Sequence, residues 1–199
     1  MTKPVASDFA PHAGNVRAFR TQQAWRAWLR KNHARSSGLW IKFFKKASGV
    51  QSITYAEALD EALCWGWIDG RANPLDERAW LQRYTPRRVR SAWSRRNRER
   101  VEKLIEEGRV QPAGLEQIAA AKASGRWAQA YDSPRDSRMP ADFVAAVGRD
   151  RKAAAFFKTL NRANLYAISY RLQTAKRVET RARRFALLLE MIRAGKRLH

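Results

Sequence analysis

Apolar and polar positions along this chain follow first a helical period, then a strand period, then a helical one again. Behind Thr21, a residue able to cap, Trp25, Trp28 and Leu29 fall at i, i+3 and i+4. That spacing predicts a helix with one apolar stripe, leaving Arg26, Arg30 and Lys31 off it. Ser36, Ser37 and Gly38 end it, and over 39–45 Leu39, Ile41 and Phe43 alternate with Trp40, Lys42 and Phe44 as in a strand. Residues 47–52, with Gly49, read as a turn. Thr54 and Glu57 have the spacing of a capping box, so a helix starts there and runs to about Cys64. Residues 67–70 and 79–84 read as short strands, joined by an acidic connection holding Pro74, Asp76 and Glu77. Three strands are therefore expected in one small antiparallel sheet.

From Ser94, a candidate cap, the pattern turns helical. Val101, Leu104 and Ile105 mark one helix stopped by Gly108, and Pro112 opens another with Leu115, Ile118 and Ala119 inward and Gly125 at its end. Pro, Ser and Asp crowd residues 132–140, which read as a linker, and helices are predicted beyond it over 142–147, 152–160, 165–173 and 175–194. In the last of these, Val178, Ala182, Phe185, Leu189 and Ile192 form an apolar stripe, and Arg177, Arg181 and Arg184 a basic one. The expected fold class is α+β and α-rich: a small antiparallel sheet with helices in the N-terminal half, and a helical C-terminal portion. Its parts are a loose segment over 1–20, an α+β domain over 21–131, the linker-like 132–140, and a helical region over 141–199 packed on the first.

Composition adds charge to this outline. The 199 residues include 40 Lys+Arg against 18 Asp+Glu, a formal net charge of +22, while 45% are hydrophobic and 8 are Trp. That apolar content sustains a core and excludes a disordered basic tail. The single Cys64 excludes an internal disulfide, and His12, His33 and His199 supply too few ligands for structural zinc, so neither a metal nor a cofactor is expected. The run 185–192 is broken by Glu190 and falls far short of the about 20 residues that span a bilayer. Residues 1–12 are polar and lack the apolar centre of a secretion signal, which makes a cytoplasmic location the expectation.

The charge is clustered. Between Arg83 and Arg98 there are seven Arg and no acid. Guanidinium groups grip phosphates and carboxylates, and aromatic rings among them can stack on bases, so Arg83, Tyr84, Arg87, Arg88, Ser91, Trp93, Arg95 and Arg96 form the candidate anion or nucleic-acid site. A helix beginning at Ser94 would add its free amides and positive dipole end. The plainer reading is a solvated face with internal pairs to Glu99, Glu102, Glu106 and Glu107. The second cluster is the C-terminal helix with Arg177, Arg181, Arg183 and Arg184; it fits either an anionic surface or ordinary packing of the apolar stripe on its own domain.

Trp65, Trp67 and Asp69 mark a candidate pocket, in which Asp69 would orient Arg83 or Arg87 across the hairpin. Cys64 beside them reads as a small buried hydrophobe: no His is near it in sequence, and a helix C-terminus disfavours the thiolate. No phosphate loop, nucleophile elbow or catalytic Ser/His/Asp set is present, so no catalytic residue is singled out. An acid–base site of Asp69, Asp76 or Glu77 with Arg and Tyr84 stays open.

Several strings together resemble the bacterial YdeI/OmpD-associated, or bacteriocin-protection, family. They are Cys64-Trp65-Gly66-Trp67-Ile68-Asp69-Gly70, Tyr84-Thr85-Pro86-Arg87-Arg88, Ser91-Ala92-Trp93-Ser94 with Asn97, Pro112-Ala113-Gly114, Tyr131-Asp132, and the tail from Thr174-Ala175-Lys176 to the end. The resemblance implies a small cytosolic bacterial protein linked to resistance against bacteriocins, antimicrobial peptides or stress, without an implied reaction. The combined expectation is a non-enzymatic binding protein that holds a polyanion, nucleic acid foremost. A small enzyme with an anionic substrate, and a module that meets an acidic protein or an anionic membrane surface, are the alternatives. Oligomeric state leaves no trace in the sequence.

Overall fold

The computed structural model describes residues 11–12 and 14–198. The secretion-signal reading of the N-terminus therefore lies almost wholly outside the described residues, as does His199. The chain divides into two units, one running to Ser91 and resuming over Asn97–Trp127, the other made of Ala92–Arg96 and the chain from Ala128 onward.

In the first unit the order is β1 (Val16–Ala18), α1 (Gln22–Asn32), β2 (Leu39–Phe44), α2 (Tyr55–Cys64), β3 (Trp67–Pro74) and β4 (Ala79–Pro86). Next come α3 (Arg95–Glu106), whose first turn belongs to the other unit, and α4 (Pro112–Ala123). The four strands are ordered β1-β2-β4-β3, with β1 parallel to β2 and the remaining pairs antiparallel. The sheet is thus mixed and four-stranded where three antiparallel strands were expected, and part of the segment read as loose is a strand. Val16-Arg17-Ala18 is too short to show a period; pairing with Trp40, Ile41 and Lys42 makes it a strand. Pro74, assigned by sequence to a connection, is the last residue of β3, opposite Trp80.

Local signals act as their chemistry requires. The Thr21 hydroxyl accepts from the Ala24 amide at the start of α1. Both halves of the capping box form at α2: the Thr54 amide donates to Glu57 at 2.8 Å, and the Glu57 amide donates to the Thr54 hydroxyl at 3.2 Å. One face of the sheet carries Leu39, Ile41 and Phe43 of β2 and Tyr84 of β4, packed with Trp25 and Leu29 of α1 and Ala58 and Ala62 of α2. Trp25 lies at the middle, stacked on Trp28 and edge-on to Trp67, with its indole N–H donating to the Ala58 carbonyl. Trp40, on the other face, is buried as well, so β2 is not the half-wet strand its alternation suggests.

Two inward faces differ from expectation. In α3 Val101 and Leu104 are buried but Ile105 is exposed; in α4 the buried positions are Gly114, Ile118 and Ala121, while Leu115 and Ala119 are exposed. Small residues let the α4 backbone come close to its neighbours, and hydrophobic periodicity does not register them.

The second unit holds α5 (Ala141–Gly148), α6 (Arg151–Lys158), α7 (Arg162–Gln173) and α8 (Val178–Arg193). α8 packs against α5, α6 and α7. Phe143, Val147, Ala153, Leu160, Ile168, Leu172, Leu188 and Ile192 form its core. Asp150 caps α6 and Asn161 caps α7 through their side-chain oxygens. The stretch 132–140, read as a linker, is tied to α7: the Ser137 hydroxyl donates to Ser169, and the Ser169 hydroxyl donates to the Arg138 carbonyl, both at 2.8 Å. Residues 92–96 join this unit because Tyr131 and Arg95 exchange backbone bonds with them as a bridge: the Tyr131 amide donates to Trp93 and the Arg95 amide to Tyr131. The fold class is α+β with a helical C-terminal part. No helix among the described residues is long and apolar enough to cross a membrane.

Candidate functional site

Exposure splits the arginine block. Arg83 of β4 is 5% exposed, lies 5.9 Å over the Trp40 ring and is engaged within the protein. Gly38 makes room for it: at φ 142°, a Cβ there would sit 2.8 Å from Arg83 Nη2 and 2.7 Å from the Tyr84 carbonyl oxygen. Arg87 is 6% exposed and also engaged, and its amide donates to the Gly66 carbonyl. Arg88, Arg90, Arg95 and Arg96 are exposed. Arg95 is matched by Asp132 at 2.9 Å, and Arg98 stands 4.0 Å from Glu102 one turn on, so part of the internal pairing weighed from sequence does form. Among the described residues no carboxylate pairs with Arg88, Arg90 or Arg96.

The aromatic members lie inside. Trp93 is buried and Tyr84 fully so, which leaves neither ring free to stack on a base. Ser91 is structural: its hydroxyl accepts from the Arg88 amide at 2.9 Å and its carbonyl accepts from Arg126. Arg126, which sequence reasoning passed over, is buried with its guanidinium donating to the Ser124 hydroxyl and to the Ser91 and Ala120 carbonyls. The block also spans the division of the chain, Arg83, Arg87, Arg88, Arg90 and Arg98 falling in one unit and Arg95 and Arg96 in the other.

Trp65 and Trp67 both meet His33, while Asp69 meets Tyr55. The Trp65 ring lies 4.6 Å from that of His33, the Trp67 indole N–H donates to the His33 carbonyl, and Asp69 accepts from the Tyr55 hydroxyl at 2.7 Å. Asp69 does not orient Arg83: it sits opposite Tyr84 in the ladder, and adjacent residues of a strand point to opposite faces. Burial, with Tyr55 and Asp69 adding to it, pushes the Tyr84 phenol well above its ordinary range, and among the described residues the hydroxyl has no hydrogen-bond partner. Tyr84→Phe is accordingly expected to change stability by less than about 1 kcal/mol, towards stabilisation, because it removes an unmet polar group. Urea denaturation checks this; a loss above about 2 kcal/mol would reveal a bond worth keeping. Cys64 is buried and its thiol is pushed up to about 12 by burial and by Glu61, as expected of a packing residue.

Sequence reasoning missed Glu61, which is 1% exposed. One oxygen accepts from Arg26, Arg109 and Gln22 at 2.8, 3.0 and 2.8 Å, and the other accepts from Arg26 at 2.9 Å. Burial alone would raise this carboxyl, but the bonds from Arg26 and Arg109 outweigh it and hold the group below its ordinary range. No lone acid in a helical run signals such a partner set.

The basic stripe of α8 is partly consumed by its own unit. Arg181 donates to both oxygens of Asp142, and Arg184 donates to the Arg171 carbonyl. Val178 is 81% exposed and Ala182 is exposed, so the inward stripe begins at Phe185 and continues through Leu188, Leu189 and Ile192.

Residues 17–117 match the family Domain of unknown function (DUF8412), just over half of the chain. Residues 136–195 match the family described as Bacteriocin-protection, YdeI or OmpD-Associated. Of the strings that carry the resemblance, those from Cys64 to Gly114 fall in the first match, the tail as far as Gly195 in the second, and Tyr131-Asp132 in neither. No curated protein and no solved structure matches the chain.

Proposed function

The chain belongs to the DUF8412 family and carries the YdeI/OmpD-associated segment over residues 136–195, and from that premise we propose a cytoplasmic binding protein, not an enzyme, that holds a polyanion, nucleic acid foremost. Protection against bacteriocins or other stress belongs to the same proposal and rests on the description of the second family. The observation that carries the reading is the pair Arg88 and Arg90, exposed and, among the described residues, without a carboxylate partner, in a stretch that contains no acid. In a chain of net charge +22 these heads are the least neutralised of the block. The buried Arg83 and Arg87 support the local structure and leave the contact to their exposed neighbours.

The test is binding of labelled DNA and RNA across a salt series, with Arg88→Ala/Arg90→Ala as the variant. Log affinity should fall linearly with log salt, and the variant's slope should be shallower by roughly 0.7 to 0.9 for each phosphate that the variant no longer neutralises. An unchanged slope removes these arginines from the interface, and no binding near physiological salt removes nucleic acid. Binding to anionic lipid vesicles in its place would move the reading to a membrane surface.

A further inference from the structure

α7 turns one stripe inward, with Ile168 and Leu172 in the core of its unit, and a second stripe outward. The outward stripe, with Pro134, lines an open groove of about 640 Å³. Its composition is ordered along the helix. Arg162 and Arg171 are its first and last members along the helix, and Ala163, Tyr166, Ala167 and Tyr170 lie between them. A smaller hollow of about 260 Å³ shares Pro134, Arg162 and Tyr166 and adds Arg135.

The rings are held in place. Tyr131 meets Tyr170 edge-on at 4.9 Å, Tyr166 lies 5.8 Å from Tyr170, and the Tyr166 hydroxyl donates to the Asp132 carbonyl at 3.3 Å. Both rings keep part of their surface open. Burial and the neighbouring tyrosines push the Tyr166 phenol up to about 12, so it stays neutral beside an anion. Among the described residues no carboxylate pairs with Arg135, Arg162 or Arg171. The nearby acids are engaged: Asp132 with Arg95 and Gln173, and Asp136 with the Ser133 hydroxyl.

We propose that this α7 groove is a binding site for single-stranded nucleic acid, with bases stacked on Tyr166 and Tyr170 and phosphates held by Arg162, Arg171 and Arg135. Open aromatic faces between unpaired guanidinium groups suit a ligand that offers flat rings and regularly spaced negative charge together. A duplex offers the charge but keeps its bases stacked inside. Arg162 and Arg171 are nine residues apart, about 13 Å of helix, which matches about four nucleotides at the stacked spacing of about 3.4 Å. The site shares no residue with the Arg88–Arg96 stretch, so either reading can fail without the other.

The experiment uses the full chain and fluorescence anisotropy with a short labelled oligothymidylate, a labelled duplex of equal length, and thymidine monophosphate as competitor. Tyr170→Leu removes a stacking ring, and Ala163→Glu places an acid in the groove lining at an exposed helical position that tolerates it. The proposal expects tighter binding of the single strand than of the duplex. Each variant should weaken the single strand by about tenfold, equivalent to about 1.4 kcal/mol, while duplex binding and the melting curve of Ala163→Glu stay unchanged. Arg88→Ala/Arg90→Ala reports on the other stretch and should leave the preference for single strand over duplex intact. Equal affinity for strand and duplex, or an Ala163→Glu variant that binds the strand as well as the parent, overturns the proposal. It is overturned too if the mononucleotide competes as well as the oligomer, which makes the ligand a free nucleotide. A change of oligomeric state in Ala163→Glu, measured by sedimentation, would show the groove occupied by a second copy and overturn it likewise.

Discussion

Replacing Glu61 with alanine is expected to destabilise the protein by about 3 kcal/mol or somewhat more, a larger loss than truncating any one of its partners would bring. Glu61 joins α1 through Arg26 and Gln22, and the connection after α3 through Arg109. Taking it away strands the Arg26 guanidinium and leaves Arg109 with Glu107 alone, at 2.9 Å. Their side chains are 49% and 29% exposed, so each can turn towards water, which keeps the cost near the low end of that for breaking a buried pair. The converse change is milder. Arg26→Ala leaves the carboxylate with Arg109 and Gln22, and about 1–2 kcal/mol is expected. Denaturant unfolding at neutral pH measures both, and equal losses for the two variants would contradict the asymmetry.

The same carboxyl sets a pH dependence. It titrates lower in the folded protein than in the unfolded chain, so its contribution is complete above the ordinary carboxylate range and is lost as pH falls through the folded value. Parent stability should decline on acidification through that window, and Glu61→Gln should flatten the decline.

Glu61 also shows where sequence reading stops. Signals made within a few residues are legible: the Thr54–Glu57 capping box, the alternation of Leu39, Ile41 and Phe43, and the four helices after residue 140 all form close to their predicted places. What depends on distant partners is not. β1 is a strand only because β2 lies beside it, and three residues carry no period. The arginines of the block share one side-chain chemistry, yet Arg83 and Arg87 are buried and Arg88 and Arg90 exposed. Arg126 is buried because carbonyls of Ser91 and Ala120 meet it, 35 and 6 residues away in the chain. The candidate site was therefore legible as a region and not residue by residue. The α7 stripe escaped because Ala163 and Ala167, which share it with Tyr166 and Tyr170, register as neither polar nor strongly apolar.

The second large effect is expected at Gly114, where helix propensity and packing predict opposite signs. Within α4 an alanine should gain roughly 1 kcal/mol over glycine. A Cβ at Gly114 would however lie 2.4 Å from the Cys64 carbonyl oxygen and 2.8 Å from Val110 Cγ1. The first of these is backbone, at the end of α2, and already accepts the Gln111 amide at 2.9 Å. Neither helix end can move without loosening that bond, so overpacking outweighs propensity and Gly114→Ala should cost about 2–3 kcal/mol net. Gly66 makes the reciprocal approach: at φ 72°, its Cβ would lie 2.8 Å from the Ala113 carbonyl oxygen. Two strings that carried the family resemblance, Cys64-Trp65-Gly66 and Pro112-Ala113-Gly114, thus meet backbone to backbone, and the absence of side chains is what lets them. Gly148 supplies the control, since it ends α5 and a methyl added there would have nothing within 4 Å. Gly148→Ala should leave stability unchanged or raise it by up to about 1 kcal/mol. If thermal or denaturant unfolding shows the two substitutions behaving alike, propensity and not close approach governs Gly114, and the packing of α2 on α4 is looser than these distances require.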